Sequence, residues 1–175
     1  KKAANKMRNL ITALMEYSRI EKKEPLVEVD FNDLLLEVKE DLSTIIKQYD
    51  AKVTWENLPI VTCYQSFIRI LIQNLISNAI KFTAKNITPE VKISCVEREI
   101  EWMFEVEDNG VGIDSKNFDE IFYIFKRLHN ENDYPGNGIG LAHCKKIINI
   151  HNGNIWVESS GKKGSTFYFT ISKYL

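Results

Sequence analysis

The stretch from residue 71 to residue 82 most constrains the fold, because it combines helical spacing with polar residues beside an apolar stripe. On a helix of 3.6 residues per turn, its apolar residues form a core-facing stripe: Leu71, Leu75, Ala79 and Phe82. Asn74, Asn78 and Lys81 fall on an adjoining arc, although Asn is a mediocre helix former. This arc is either an ordinary solvated face or one wall of a site for a metal and a polyphosphate.

The composition excludes several classes of protein. The chain has 175 residues, 44% hydrophobic and 27% charged, which is typical of one globular domain with an appendage. A net charge of −1 gives no sign of nucleic-acid binding. No apolar run is long enough for a membrane helix and no secretory signal is present, so we expect a cytoplasmic chain without membrane contact. Well-separated cysteines predict buried free thiols: Cys63, Cys95 and Cys144.

Residues 1–23 have the spacing of a helix whose apolar face is too wide for a helix that packs on nothing. Glu24 and Pro25 end this pattern, which predicts a domain boundary with an appendage over 1–24 and a main domain over 25–175. The chain starts with Lys rather than Met, in the middle of the predicted helix. We therefore expect it to be a fragment of a longer protein.

The main domain mixes helical and strand patterns. Strands are predicted over 26–29, 52–55, 91–98, 100–108, 154–159 and 165–172. Helices are predicted over 30–49, 63–83 and 138–151, with a short helix or turn over 117–125. This order predicts an α+β fold: a two-layer α/β sandwich in which helices cover one face of a mixed sheet.

Asp108 ends a predicted strand and is followed by glycines at positions 110 and 112. A carboxylate only accepts hydrogen bonds, so Asp108 is suited to an exocyclic amine such as that of adenine. The glycines allow the backbone to turn and a ligand to approach. The alternative is an ordinary Asp-Asn-Gly turn.

A loop with three glycines, Gly136-Asn137-Gly138-Ile139-Gly140, precedes the helix predicted over 138–151. Free N–H groups at a helix N-terminus bind phosphate, and glycines let phosphate come close. No strand leads directly into the loop and no Gly-Lys-Ser/Thr follows, so neither common nucleotide fingerprint fits. A flexible hinge is the alternative.

Each motif alone is common, but their combination and order are characteristic of one family. The order is the Asn-rich helix, Asp108-Asn-Gly-Val-Gly112, Ile121-Phe-Tyr-Ile-Phe125, a polar loop and the glycine loop. In this order the sequence resembles the catalytic ATP-binding domain of two-component sensor histidine kinases. Their superfamily includes DNA gyrase, the mismatch-repair ATPase MutL and the ninety-kilodalton heat-shock chaperone. The resemblance covers residues 26–171. Residues 14–20 are similar to the end of the dimerisation hairpin, so the resemblance implies that 1–24 is the C-terminal part of this phosphotransfer hairpin.

The resemblance implies roles for individual residues. Asn78 is the implied magnesium ligand, and Lys81 and Arg127 are the implied catalytic cations that offset phosphate charge. Asn74 lines the phosphate region, and Asp108 binds adenine. The other implied nucleotide-binding residues are Gly110, Gly112, Ile113, Phe122, Phe125, Gly136, Gly138, Ile139, Gly140, Leu141 and Thr166. Residues 126–138 form the implied ATP lid, and an ordinary strand start is the alternative for Thr166.

The resemblance further implies ATP and Mg²⁺ as cofactors and transfer of the γ-phosphoryl group to a histidine. The acceptor lies on a hairpin helix that this chain lacks, so we expect ATP binding without self-phosphorylation. His129, His143 and His151 are expected to be structural or solvated. The implied partners are the phosphoacceptor helix of the same or sister subunit, the receiver domain of a response regulator and, in the full-length protein, a second copy. Membrane anchoring of the parent protein stays open.

Two other functions stay open. An ATPase or serine kinase of the same superfamily would need a general-base Glu on the Asn-rich helix, where Gln73 and Asn74 stand instead. A degenerate, non-catalytic signalling module would dock partners and would have lost nucleotide determinants, yet each implied determinant is present.

Overall fold

The computed structural model describes Met15 and residues 24–128, 138–161 and 163–175. The predicted helix over 1–23, apart from Met15, lies outside the described residues, as do Gly136, His129 and most of the implied lid. The helices are α1 (Phe31–Asp41), α2 (Ser43–Tyr49), α3 (Gln65–Lys81) and α4 (Gly140–Ile150). The strands are β1 (Val27–Asp30), β2 (Lys52–Trp55), β3 (Ile60–Cys63), β4 (Glu90–Glu97), β5 (Glu101–Asp108), β6 (Ile155–Ser159) and β7 (Ser165–Ser172). Two 3₁₀ turns lie at Ser115–Asn117 and Glu120–Phe122.

The main sheet has five strands in the order β2-β4-β5-β7-β6. β2 and β4 are parallel and the other pairs are antiparallel, so the predicted α+β fold with a mixed sheet is confirmed. The strand register aligns buried residues across the sheet: Ile93 lies opposite Val106, which lies opposite Phe167, which lies opposite Val157. This apolar row lies on the face of the sheet against which the helices pack.

A stack of three phenylalanine rings ties the first helix to the sheet. The Phe31 ring of α1 lies 4.3 Å from that of Phe104 on β5, and the Phe104 ring lies 4.9 Å from that of Phe169 on β7. Each of the three residues is fully buried. Burial of one such side chain stabilises a fold by about 2–3 kcal/mol, so this stack is a main link between the two layers.

The helix predicted over 30–49 is interrupted. Asp30 caps its start, because its carboxylate accepts a 2.8 Å hydrogen bond from the Asn32 N–H. At Leu42, however, φ is −89° and ψ is 6°, so α1 ends and α2 begins one residue later. Ser43 and Thr44 follow directly and are weak helix formers, which accounts for the break at this point.

Strand β3 was not predicted, and the helix predicted over 63–83 begins only at residue 65. β3 pairs with β1 in a separate two-stranded sheet, where Val61 lies opposite Val29. β3 has four residues between a proline and a long helix, which is too short for a clear alternation of polar and apolar residues.

All three cysteines are free thiols, as the sequence predicts. Cys63 and Cys144 are buried and Cys95 is half-buried, all without disulfides. Burial raises the pKa of each thiol to about 12, which keeps the thiols protonated at neutral pH. In the part of the chain that is described, no helix has the length and apolar character needed to span a bilayer.

His151 is completely buried where α4 ends, and it joins α4 to the start of α3. Its Nδ1 lies 2.7 Å from the carbonyl oxygen of Ile147, and its Nε2 accepts a 3.1 Å hydrogen bond from the Tyr64 N–H. A carbonyl oxygen only accepts, so Nδ1 carries the proton. This is the structural role that the sequence suggested.

We expect His151→Ala to lower the free energy of unfolding by about 2–4 kcal/mol, because it leaves a cavity and a buried Tyr64 N–H without its acceptor. Urea denaturation measures this loss. Asn149→Ala, at an exposed position of the same helix, is the control. Equal stability of the two variants would contradict the assignment.

Candidate functional site

A cavity of about 360 Å³ lies between α3, the end of β5, the second 3₁₀ turn, the start of α4 and the start of β7. This is large enough for a small organic ligand. It brings together many of the residues singled out in the sequence: Asn74, Asn78, Lys81, Asp108, Gly112, Ile113, Arg127, Gly138, Ile139, Gly140 and Leu141. Residues that lie far apart in the chain therefore share one site.

Asp108 provides a fixed acceptor in this cavity. Its Oδ1 accepts hydrogen bonds from the N–H groups of Gly110 at 2.8 Å and Ser165 at 3.2 Å. Burial raises the pKa of the carboxyl group to about 6, although the two N–H donors act in the opposite direction, and the nearby Glu107 charge raises it further. With Oδ1 occupied, Oδ2 is the oxygen left for a ligand.

Gly110 shapes the site without lining the cavity. A Cβ at this position would lie 2.7 Å from Asp108 Oδ1 and 2.8 Å from the carbonyl oxygen of Phe82. The same Phe82 carbonyl accepts a 2.9 Å bond from the Val111 N–H. The turn after β5 therefore closes directly on the end of α3, and only glycine fits.

Helix α3 presents Asn74, Asn78 and Lys81 to the cavity, while its buried stripe packs on the sheet. The Asn74 Nδ2 donates to the Ile70 carbonyl oxygen at 2.9 Å, and its Oδ1 would lie 2.7 Å from a Cβ on Gly140. Asn74 thus connects α3 to the start of α4. Within the described residues the Asn78 amide makes no hydrogen bond, so its oxygen can coordinate a ligand.

Two cations face the same part of the cavity. Burial lowers the pKa of Lys81, and the positive charge of Arg127 lowers it further. The Lys81 ammonium also lies 4.5 Å from the centre of the Phe82 ring. Like charges brought together in a concave site favour an anionic ligand.

The first turn of α4 completes the wall. Its N-cap residue, Ile139, provides no side-chain hydrogen bond, so backbone N–H groups at this helix end are left for a ligand. Gly138, two residues before α4, is fixed by Phe125, whose N–H donates to the Gly138 carbonyl oxygen at 2.8 Å. Gly138 has a φ of +68°, which favours glycine.

Several residues that the resemblance implicates lie elsewhere. Phe122 is buried outside the cavity, with the Lys145 ammonium 5.8 Å from its ring centre, and Phe125 is half exposed. Thr166 is on the opposite face of the sheet, paired with Glu107 and Glu158 in the neighbouring strands. Thr166 does not line this cavity, because successive residues of a strand point to opposite faces, and its role in nucleotide binding stays a prediction.

Ser165, rather than Thr166, lines the cavity, and its N–H binds Asp108. The sequence contained a signal, since Ser165 stands two residues before Phe167 in the predicted strand over 165–172 and therefore shares its face. His143 and Lys126 also line the cavity. His143 was not assigned to the site, and Lys126 was included only as the first residue of the implied lid, without a role of its own. His143 stands one turn after Gly140, and Lys126 directly precedes Arg127, so both were recognisable only from their neighbours.

Comparison with known proteins agrees with this geometry. Residues 63–175 match the family described as histidine kinase-, DNA gyrase B-, and HSP90-like ATPase. Cyanobacterial phytochrome A of Nostoc sp. is 43% identical over 168 residues, which cover 94% of this chain and 22% of that protein. The adaptive-response sensory kinase SasA of Synechocystis sp. is 34% identical over 146 residues, covering 81% of this chain and 38% of that protein. The chain thus spans well under half the length of these relatives.

Solved structures give the same result. The catalytic domain of the histidine kinase ThkA superposes with a TM-score of 0.72 at 27% identity, covering 85% of this chain and 98% of that domain. Full-length ShkA in complex with AMPPNP has a TM-score of 0.80 at 22% identity and covers 97% of this chain and 36% of ShkA, which shows the shared fold. The family match extends over more than half of the chain. The chain therefore belongs to the histidine kinase-, DNA gyrase B- and HSP90-like ATPases, as an ATP-binding catalytic domain of the histidine kinase type.

Proposed function

We propose that this domain binds Mg-ATP in the cavity and presents the γ-phosphoryl group to a histidine on a separate helix of a longer, cytoplasmic sensor kinase region. The observation that carries the proposal is that one cavity is lined by a carboxylate, two cations, an Asn side chain without a hydrogen bond among the described residues and a helix N-terminus. Such a cavity matches the amine and the triphosphate of ATP.

The chemistry of the residues fits each part of the nucleotide. Asp108 accepts the exocyclic amine of adenine through Oδ2. Lys81 and Arg127 donate to phosphate oxygens, as do the first N–H groups of α4. Asn78 supplies an oxygen ligand of the kind that Mg²⁺ prefers. When bound, Mg²⁺ offsets charge on the transferred group, and the protein contributes positioning and electrostatic stabilisation.

The absence of an acid on α3 favours transfer to a protein acceptor over hydrolysis. Gln73 donates to Asp41 Oδ2 at 2.6 Å, away from the cavity, and Asn74 contacts α4. Neither residue can take a proton from water at neutral pH. We therefore expect the activating base to come from the acceptor helix, and the lack of an acid on α3 argues against the ATPase alternative.

The partners follow from the proposed reaction. A structure of ThkA in complex with the response regulator protein TrrA resembles this chain with a TM-score of 0.75 at 24% identity. We propose that this domain likewise works beside a receiver domain that takes the phosphoryl group from the acceptor histidine. In the full-length protein a homodimer would bring the acceptor helix of the same or the sister subunit to the cavity.

Asn78→Ala should remove most of the magnesium-dependent part of ATP affinity, about tenfold, and leave the magnesium-free part nearly unchanged. Isothermal calorimetry with AMPPNP, with and without Mg²⁺, measures both parts. Gln73→Ala is the matched control, because Gln73 is on the same helix but contacts Asp41.

The outcomes separate the role from the function. No binding of AMPPNP by the wild-type domain at millimolar concentration would refute the proposed function. Normal binding with an unchanged magnesium effect in Asn78→Ala would refute only the assignment of Asn78.

A further inference from the structure

We propose that Lys126 is a further phosphate-binding residue of this site, and that Glu120 competes with the nucleotide for its ammonium group. The proposal rests on the proposed function, because it assumes a triphosphate in the cavity. It assigns a new contact and a counter-ion to a site whose other cations are Lys81 and Arg127.

The backbone places three consecutive residues on the cavity wall. Phe125 has a φ of +66°, the left-handed region that a bulky residue rarely adopts. The Phe125 N–H is held by the Gly138 carbonyl oxygen at 2.8 Å, and the Lys126 N–H by the Tyr123 carbonyl oxygen at 3.1 Å. After this turn Lys126 and its two successors, Arg127 and Leu128, all line the cavity. Extended chain would direct alternate residues away from it.

The side chain of Lys126 is committed to one partner that a nucleotide can replace. Its ammonium forms an ion pair with Glu120 Oε2, and the two side chains are 36% and 44% exposed. An ion pair with this exposure contributes little net stability. A triphosphate carries several negative charges, so it attracts the ammonium more strongly than one carboxylate does.

Glu120 cannot easily follow Lys126 into the cavity. It belongs to the 3₁₀ turn Glu120–Phe122, whose other two residues, Ile121 and Phe122, are buried. The carboxylate is therefore anchored at the rim of the site while the long lysine side chain moves. The negative charge of the bound triphosphate also reduces the repulsion among the three cations that line the cavity.

The first test is Lys126→Met, measured by calorimetry with AMPPNP and Mg²⁺. We expect about a tenfold loss of affinity, the usual contribution of a charge-assisted hydrogen bond to phosphate. Lys116→Met is the matched control: Lys116 has the same charge and pairs with Asp114 at 2.9 Å, but it lies outside the cavity. Lys116→Met should change affinity by less than about twofold, and Lys126→Arg should restore most of the loss.

The second test is a double-mutant cycle with Glu120→Gln. Removal of the competing carboxylate should raise AMPPNP affinity about two- to threefold when Lys126 is present and leave it unchanged in Lys126→Met. A gain that persists without Lys126 would show a general charge effect and overturn the counter-ion role. Thermal melts verify that each variant is folded.

The two levels of the proposal fail differently. If the wild-type domain does not bind AMPPNP, the proposed function fails, and Lys126 has no ligand. If the wild-type binds and Lys126→Met matches Lys116→Met, only the role of Lys126 is overturned.

Discussion

Asp108→Asn is expected to weaken ATP binding about 100-fold and, at neutral pH, to stabilise the free domain. Oδ1 of Asp108 already accepts bonds from Gly110 and Ser165, so the second side-chain atom meets the ligand. In the variant that atom is an NH₂ group, which faces the donating amine of adenine. Because the Asn NH₂ and the adenine amine are both donors, the hydrogen bond is lost and both groups are left unpaired, which costs about 3 kcal/mol.

The gain in stability follows from the pKa of the same carboxyl group. Burial raises its pKa from the ordinary 3.8 to about 6 in the folded domain. Between these values the folded state binds more protons than the unfolded state, so the free energy of unfolding falls as the pH rises from about 4 to about 6. The full difference corresponds to about 3 kcal/mol, of which Asn should recover about 1–3 kcal/mol at pH 7.

Urea denaturation at pH 7 and pH 4.5, together with AMPPNP titration, measures both effects. At the lower pH the variant should lose most of its advantage, because the wild-type carboxyl group is then largely protonated. For the same reason wild-type affinity for AMPPNP should fall as the pH drops below about 6. Glu107→Gln, the same chemical change on the opposite face of β5, should preserve binding. An Asp108→Asn variant that binds normally would contradict adenine recognition by Asp108.

The secondary structure was predictable wherever the apolar period was long. The apolar stripe identified α3 and its buried face, and the strand predicted over 165–172 coincides with β7. β3 was missed because four residues beside a proline do not establish a period, and its strand character depends on pairing with β1. The break at Leu42 was also missed, because two weak helix formers, Ser43 and Thr44, do not interrupt the apolar period on which the helix prediction rested.

The candidate site was predictable from motif order, but its geometry was not. Asp108, Asn78 and Gly140 meet only because the sheet register and the packing of α3 against α4 bring three distant segments together. Ser165 could have been assigned from alternation with Phe167, whereas the motif drew attention to Thr166. Lys126 gave no signal of its own, since its place in the wall depends on the left-handed backbone of Phe125.

Gly164→Ala is expected to lower the free energy of unfolding by about 3–5 kcal/mol and to impair nucleotide binding. Gly164 has a φ of +85°, and a Cβ there would lie 1.9 Å from the carbonyl oxygen of Asp108. The obstacle is backbone, so no side chain can move to relieve it. Relief would separate β7 from β5 where Ser165 pairs with Asp108, and would remove the 3.2 Å bond that holds the Asp108 carboxylate.

Gly161→Ala separates this close approach from the backbone strain. Gly161 lies in the same hairpin turn and has a φ of +82°, but a Cβ there would have nothing within 4 Å. Its replacement should cost only the left-handed strain, about 1 kcal/mol, and should leave AMPPNP affinity unchanged. Urea denaturation and calorimetry on both variants measure the difference. If the two substitutions lower the free energy of unfolding equally, the contact between Gly164 and Asp108 does not shape the site. If Gly164→Ala lowers it more and also weakens AMPPNP binding, the end of the β6–β7 hairpin positions the acceptor for adenine.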